Sequence, residues 1–190
     1  MRDVGIINET DEDSDYASYQ HSGGCVRTAG TFTVNGDATF TGCESVGAGE
    51  SAPGPGGAIF VSETGSVSFS EGVTIMETSI TDDFGGQGGG IYNLGEVNVA
   101  GGSRFEDISA SSGVAVYNGE GAQLRFTNGA TACFRDLSNR DSVGSALYYL
   151  GYFEFSGPAL FVEADTPARH RGLGDQRDRP LRELGLLDVQ

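Results

Sequence analysis

Gly56-Gly57-Ala58-Ile59-Phe60, then Val67-Ser68-Phe69, then Ile75: this order returns as Gly88-Gly89-Gly90-Ile91-Tyr92, Val97-Asn98-Val99 and Phe105. Outward from this pair the same three-part unit recurs on both sides. A small residue and an aliphatic one open the added units, at Cys25-Val26, Ala115-Val116 and Ala146-Leu147. An aromatic residue follows in every unit but the first, at Phe60, Tyr92, Tyr117 and Tyr148. An alternating segment comes next, at Phe32-Thr33-Val34, Leu124-Arg125-Phe126 and Phe153-Glu154-Phe155, and a third short element is centred on Phe40, Phe134 and Phe161. Period-two alternation of β-branched and aromatic residues marks a strand with one buried face.

The aliphatic anchors Val26, Ile59, Ile91, Val116 and Leu147 stand 33, 32, 25 and 31 residues apart. Steps between elements inside a unit are even, so the same side of each strand keeps facing the core. Length varies instead between the third element and the next anchor, as expected when units stack and insertions map to one corner. The expected fold is all-β: a right-handed parallel β-helix of about five coils with three short strands per coil, successive coils lying about 4.8 Å apart. A sandwich would need hairpins of alternating direction, and a propeller blade needs four strands in about 40 residues or more. Glycines such as Gly36, Gly65, Gly95 and Gly151 fit the corners, where positive φ or a missing side chain is required.

Composition narrows the function classes. The 190 residues hold 31 glycines, no tryptophan, 27 acidic and 11 basic side chains, with a formal charge of −16; all the Lys+Arg positions are arginine. A hydrophobic fraction of 37% is too high for a disordered chain. No apolar run is long enough to cross a bilayer, and the charge argues against nucleic acid, whose phosphates need a basic face. The acidity belongs to the repeats: residues 1–168 hold 23 acidic and 6 basic side chains, against 4 and 5 in 169–190.

Three segments are expected. Residues 1–23 read as a partial preceding coil, in which Ile7-Asn8-Glu9 resembles a third element, followed by an acidic loop; 24–168 are the β-helix repeats. Residues 169–190 form an arginine-rich tail, poorly ordered or a short capping helix. No secretion signal is visible at the start, and the mid-coil beginning suggests a piece of a longer solenoid, with further coils of the same kind as neighbours. Of the three cysteines at least one must be unpaired. Small buried thiols are the expectation for Cys25, Cys43 and Cys133, with a Cys25–Cys43 bridge as the alternative.

On these motifs the chain resembles the polymorphic outer membrane protein repeats of chlamydial surface proteins and, more broadly, pectin-lyase-like β-helices. Gly56-Gly57-Ala58-Ile59 matches the Gly-Gly-Ala-aliphatic half of that repeat, and Gly88-Gly89-Gly90-Ile91 matches it with glycine for alanine. The Phe-x-x-Asn half is degraded: Phe105 and Phe134 are followed three residues later by Ile108 and Leu137. The resemblance covers roughly residues 24–163. It implies an extracellular or cell-surface, adhesin-like module.

Two columns could carry binding. If the anchors face inward, Phe60, Tyr92, Tyr117 and Tyr148 face outward in register, as a platform for sugar rings or as a self-stacked ladder that only stabilises the sheet. Two residues after the third anchor stand Glu77, Asp107, Asp136 and Glu163, with Glu9 in the partial coil. Oxygen ligands in such a column would suit calcium; the plainer reading is loop carboxylates in water. No cofactor is otherwise implied.

Catalysis finds no motif. A polysaccharide lyase or glycoside hydrolase of the pectin-lyase-like fold would need a base or paired carboxylates at a set separation. Arg104, Arg125, Arg135 and the Asp82-Asp83 pair are the available groups. His21 and His170 share no ligand spacing, and Gly85–Gly90 lacks the lysine and helix of a phosphate loop. The expectation is a non-catalytic structural or adhesive module with a glycan or cell-surface protein as partner; the alternative is a polysaccharide-degrading fragment.

Overall fold

The computed structural model describes residues 23–46, 56–81, 86–139, 145–164, 168–170 and 186–189. These residues form strands and turns only. The first coil holds β1 (Val26–Thr28), β2 (Thr31–Val34), β3 (Ala38–Thr41) and β4 (Glu44–Val46); the second holds β5 (Ile59–Val61), β6 (Ser66–Phe69) and β7 (Gly72–Thr81). The third holds β8 (Ile91–Asn93), β9 (Glu96–Val99) and β10 (Gly102–Ala110), the fourth β11 (Val116–Asn118), β12 (Gln123–Phe126) and β13 (Ala132–Asn139). Next come β14 (Leu147–Tyr149), β15 (Tyr152–Phe155) and β16 (Ala159–Ala164), then β17 (Ala168–His170) and β18 (Leu186–Val189).

Among the described residues every strand pairing is parallel and joins a strand to its counterpart one coil on, which makes the fold a parallel β-helix. The three sheets run β1-β5-β8-β11-β14-β17, β2-β6-β9-β12-β15 and β3-β7-β10-β13-β16-β18, with β4 paired to the far half of β7. The expected anchors are in register: Val26, Ile59, Ile91, Val116 and Leu147 pair in series. So do Phe32, Val67, Val97, Leu124 and Phe153 in the second sheet, and Phe40, Ile75, Phe105, Phe134 and Phe161 in the third. β17 and β18 extend two sheets past residue 168, into the segment expected as a tail.

Stacking like on like makes the core a set of continuous apolar columns. Ile59, Ile91, Val67, Val97, Ile75, Phe105 and Phe134 are each 0% exposed, and burying a side chain of this kind contributes roughly 1.5–3 kcal/mol. Phe105 lies flat on Phe134, centroids 5.2 Å apart. The opening motif follows from the same crowding. At Gly56 φ is +76°, and a Cβ on Gly57 would lie 2.0 Å from the carbonyl oxygen of Gly89 in the next coil. Two glycines and then a small residue are therefore what lets one coil open directly against the next.

The third element is longer than expected. β7, β10 and β13 run 10, 9 and 8 residues because each continues through a left-handed residue: Glu77 (φ 53°), Asp107 (φ 50°) and Asp136 (φ 50°). Gly42 (φ 64°) takes that place in the first coil, between β3 and β4. Parity is reset at the corner, so Thr78, Ile108 and Leu137 point inward again and are buried.

Cys43 follows Gly42 at the same inward place, and it is disulfide-bonded to Cys25 across the first coil, Cα atoms 5.5 Å apart. This corrects the expectation of buried thiols. The reason is the coil register, which brings the start of the first sheet beside the end of the third. Cys133, on the outward parity of β13, is free and half-buried. The first coil is otherwise loosely packed: Phe32, Val34, Ala38 and Phe40 only partly bury against the core, whereas their register partners in the second coil are buried.

Candidate functional site

Phe60, Tyr92, Tyr117 and Tyr148 occupy one register column on the first sheet, just outside the anchor column. Their rings lie face to face. Centroids are 5.7 Å apart from Phe60 to Tyr92, 4.8 Å from Tyr92 to Tyr117 and 5.2 Å from Tyr117 to Tyr148, with interplanar angles of 10°, 4° and 9°. Below the stack the guanidinium of Arg27 sits 5.7 Å from the Phe60 centroid, a cation over a π face. Each inner ring face thus meets another ring.

Phe60 is buried (1% exposed) and Tyr117 nearly so (9%), while Tyr92 and Tyr148 are half-buried. The geometry is that of a self-stacked ladder, and from Phe60 to Tyr148 the faces turned toward one another are taken up by stacking, leaving ring edges there. Burial pushes the Tyr117 phenol above its ordinary value of 10.0, and the neighbouring Tyr148 adds to the shift. An uncharged phenol is the form this site favours.

The acidic column follows the left-handed corner. Glu77, Asp107 and Asp136 succeed one another coil by coil and, with Met76 and Glu106, line an open depression of about 450 Å³. Glu163 lies on the same register place by its backbone, between the Arg135–Val162 and Leu137–Ala164 pairs; its side chain and Glu9 are outside the described residues. Asp107 and Glu77 are exposed, and Arg135 reaches Asp136 at 3.2 Å and Glu106 at 3.5 Å. Thr41 donates a hydroxyl hydrogen bond to Glu77 at 3.4 Å. Among the described residues no group of three or more histidine, cysteine or acidic side chains is placed to hold a metal ion.

Comparison with known proteins finds no family model, no curated protein and no solved structure that matches the chain. The fold and the columns have to speak from their own geometry.

The arginines proposed as bases are all engaged on their own sheets. Arg104 pairs with Glu106. Arg125 contacts Glu96 at 2.8 Å and Glu154 at 3.7 Å, donates a hydrogen bond to the side-chain oxygen of Gln123, and lies 5.2 Å from the Tyr152 ring centroid. Their charge neutralises neighbouring carboxylates on an outer sheet face. Asp82-Asp83, His21 and the side chain of His170 are outside the described residues. Gly86 to Gly90 form the corner before β8.

One column was missed. Asn93 and Asn118 end β8 and β11, are 0% exposed, and join side chain to side chain: Asn93 Nδ2 donates to Asn118 Oδ1 at 2.7 Å. Asn93 also donates to the Gln123 carbonyl at 2.9 Å, and Asn118 to that of Tyr152 at 3.1 Å. This internal ladder ties the first sheet to the second. Its signal was present, since Ile91-Tyr92-Asn93 and Val116-Tyr117-Asn118 repeat with asparagine on core parity.

Proposed function

We propose that this chain is a non-catalytic structural and adhesive β-helix module of a larger secreted or cell-surface protein, similar in kind to the polymorphic outer membrane protein repeats. The observation that carries this reading is the Cys25–Cys43 disulfide. Cytosolic reductants oppose such bonds and oxidising compartments preserve them.

The disposition of polar side chains supports the non-catalytic part. Tyrosines stack on one another, buried asparagines bond to main chain, and Arg104, Arg125 and Arg135 pair with carboxylates of the same sheets. Chemistry-bearing groups serve the solenoid. For a glycan or protein partner, the available features are the edges of Tyr92 and Tyr148 and the ring of Tyr152, which is 52% exposed beside Arg125. An amphipathic ring next to a guanidinium is a common recognition element.

Antibody against the folded chain, applied to intact cells of the source organism, tests the location: labelling without permeabilisation is expected, and labelling only after it overturns the reading. Glycan and surface-protein arrays probed with the chain and with its Tyr152→Ala variant test the binding face. Release of unsaturated product from acidic polysaccharides would overturn the non-catalytic part and favour the lyase alternative.

A further inference from the structure

Three asparagines precede a glycine in the described coils, at Asn35-Gly36, Asn118-Gly119 and Asn128-Gly129. Such a pair carries its own chemistry. The glycine nitrogen, once deprotonated, can attack Cγ of the asparagine; the N–Cγ bond forms, the Cγ–Nδ2 bond breaks and ammonia leaves. Water then opens the resulting succinimide at either carbonyl, giving aspartate or isoaspartate. Glycine is the least hindered following residue because it has no Cβ.

We propose that Asn35 and Asn128 are sites of this spontaneous modification, that Asn118 is protected, and that a serine from the following coil sets the rate at each reactive site.

The three places differ in what holds the reacting atoms. Asn118 is 0% exposed, its side-chain oxygen accepts from Asn93 at 2.7 Å, its nitrogen donates to Tyr152 O at 3.1 Å, and the Gly119 N–H donates to Asn93 O at 2.8 Å. Nucleophile, electrophile and leaving group are all fixed, away from water. Asn35 and Asn128 are exposed at the corner between the second and third sheets, and no hydrogen bond holds either side-chain amide among the described residues. At Asn128-Gly129 both φ angles are positive, 58° and 68°, and Ala130 N–H closes the turn on Thr127 O at 3.0 Å. That is the turn an Asn-Gly pair favours.

What restrains these two sites comes from the next coil. Gly36 N–H donates to Ser70 Oγ and Gly129 N–H to Ser156 Oγ, each at 3.2 Å. Each serine in turn donates to the last carbonyl of the strand below, Ser70 to Val34 at 3.2 Å and Ser156 to Phe126 at 2.9 Å. The same clamp is built twice, three coils of the solenoid apart from one another. An amide that is giving its proton to a serine oxygen is not free to attack, so the clamp must open first. Each conversion adds a negative charge at a corner, and the isoaspartyl product also lengthens the main chain there by one carbon.

The purified chain is incubated in mildly alkaline buffer and its peptides are mapped by isotope-resolved mass spectrometry with isoaspartate detection. Asn35 and Asn128 should convert while Asn118 does not; in urea all three should convert at similar rates. Ser156→Ala should raise the rate at Asn128 about fivefold, the factor one hydrogen bond allows, and leave Asn35 unchanged. Ser70→Ala should do the reverse, so each variant is the other's control for general loosening, and Ser156→Thr should keep the slow rate. Conversion of Asn118 alongside the others in the folded chain, or serine variants without a site-specific effect, would overturn the proposal.

Discussion

At the residue scale the left-handed corner is the most exacting place in each coil. A side chain with a Cβ held at positive φ costs roughly 1–2 kcal/mol, and Glu77 bears that cost where Gly42 does not. Glycine returns about 0.5–1 kcal/mol of it through a more mobile unfolded chain. Glu77→Gly should therefore raise stability by about 0.5–1 kcal/mol, read as a higher urea midpoint with an unchanged slope. The Tyr117 phenol gives a second residue-scale test. Its folded pKa is above the unfolded value of 10.0, so with rising pH the unfolded chain gives up this proton first. Stability is full below pH 10.0 and declines as pH climbs through and past it toward the folded value. Tyr117→Phe keeps the ring in the stack and should flatten that alkaline decline in melting curves taken across the range; an unchanged decline would mean another group is responsible.

At the element scale the disulfide and the loose packing of the first coil belong together. Phe32, Val34 and Phe40 are only partly buried, so the coil leans on the bond between Cys25 and Cys43, which are 18 residues apart. A loop of about that length is worth roughly 3 kcal/mol in the chain-entropy account. Reduction should open this coil and leave the inner ones closed. Trypsin reads this directly, because the chain has no lysine: after reduction, cleavage at Arg27 should accelerate while Arg104 and Arg125 remain resistant. Thiol titration of the folded protein should find Cys133 alone, and all three cysteines after reduction and unfolding. The element scale also shows what sequence could and could not carry. Anchor spacing was enough to place Val26, Ile59, Ile91, Val116 and Leu147 in one register column, because a solenoid core repeats on one parity. The bend within the third strand was not legible as a strand, since a left-handed residue breaks alternation just where alternation is the signal. Cys43 stands three residues after Phe40, as Thr78 stands after Ile75, and only that bend turns its side chain inward toward Cys25. The outward column was legible as a column, but the mutual stacking that takes up its ring faces depends on side-chain orientation.

At the scale of the whole molecule each coil touches only the coils before and after it, and stability propagates through those contacts. The apolar columns make the coupling strong in the middle and weak at the first coil. Phe105 is 0% exposed, pairs with Ile75 below, and lies flat on Phe134 above. Removing its ring leaves a cavity between two coils, at a cost of about 3–5 kcal/mol, and cuts the column that couples one half of the solenoid to the other. Phe32 is half-buried in the first coil, so Phe32→Ala loses less area and should cost about half as much by the same area argument. The two variants should also differ in the form of unfolding, beyond its midpoint. Phe32→Ala should fray one end and leave a single main urea transition of near-native slope. Phe105→Ala should split or broaden that transition, with amide exchange quickening through the third and fourth coils together. Equal costs, or a sharp single transition in the Phe105 variant, would mean that the columns do not transmit cooperativity and that the hydrogen-bonded sheets alone hold the coils in step.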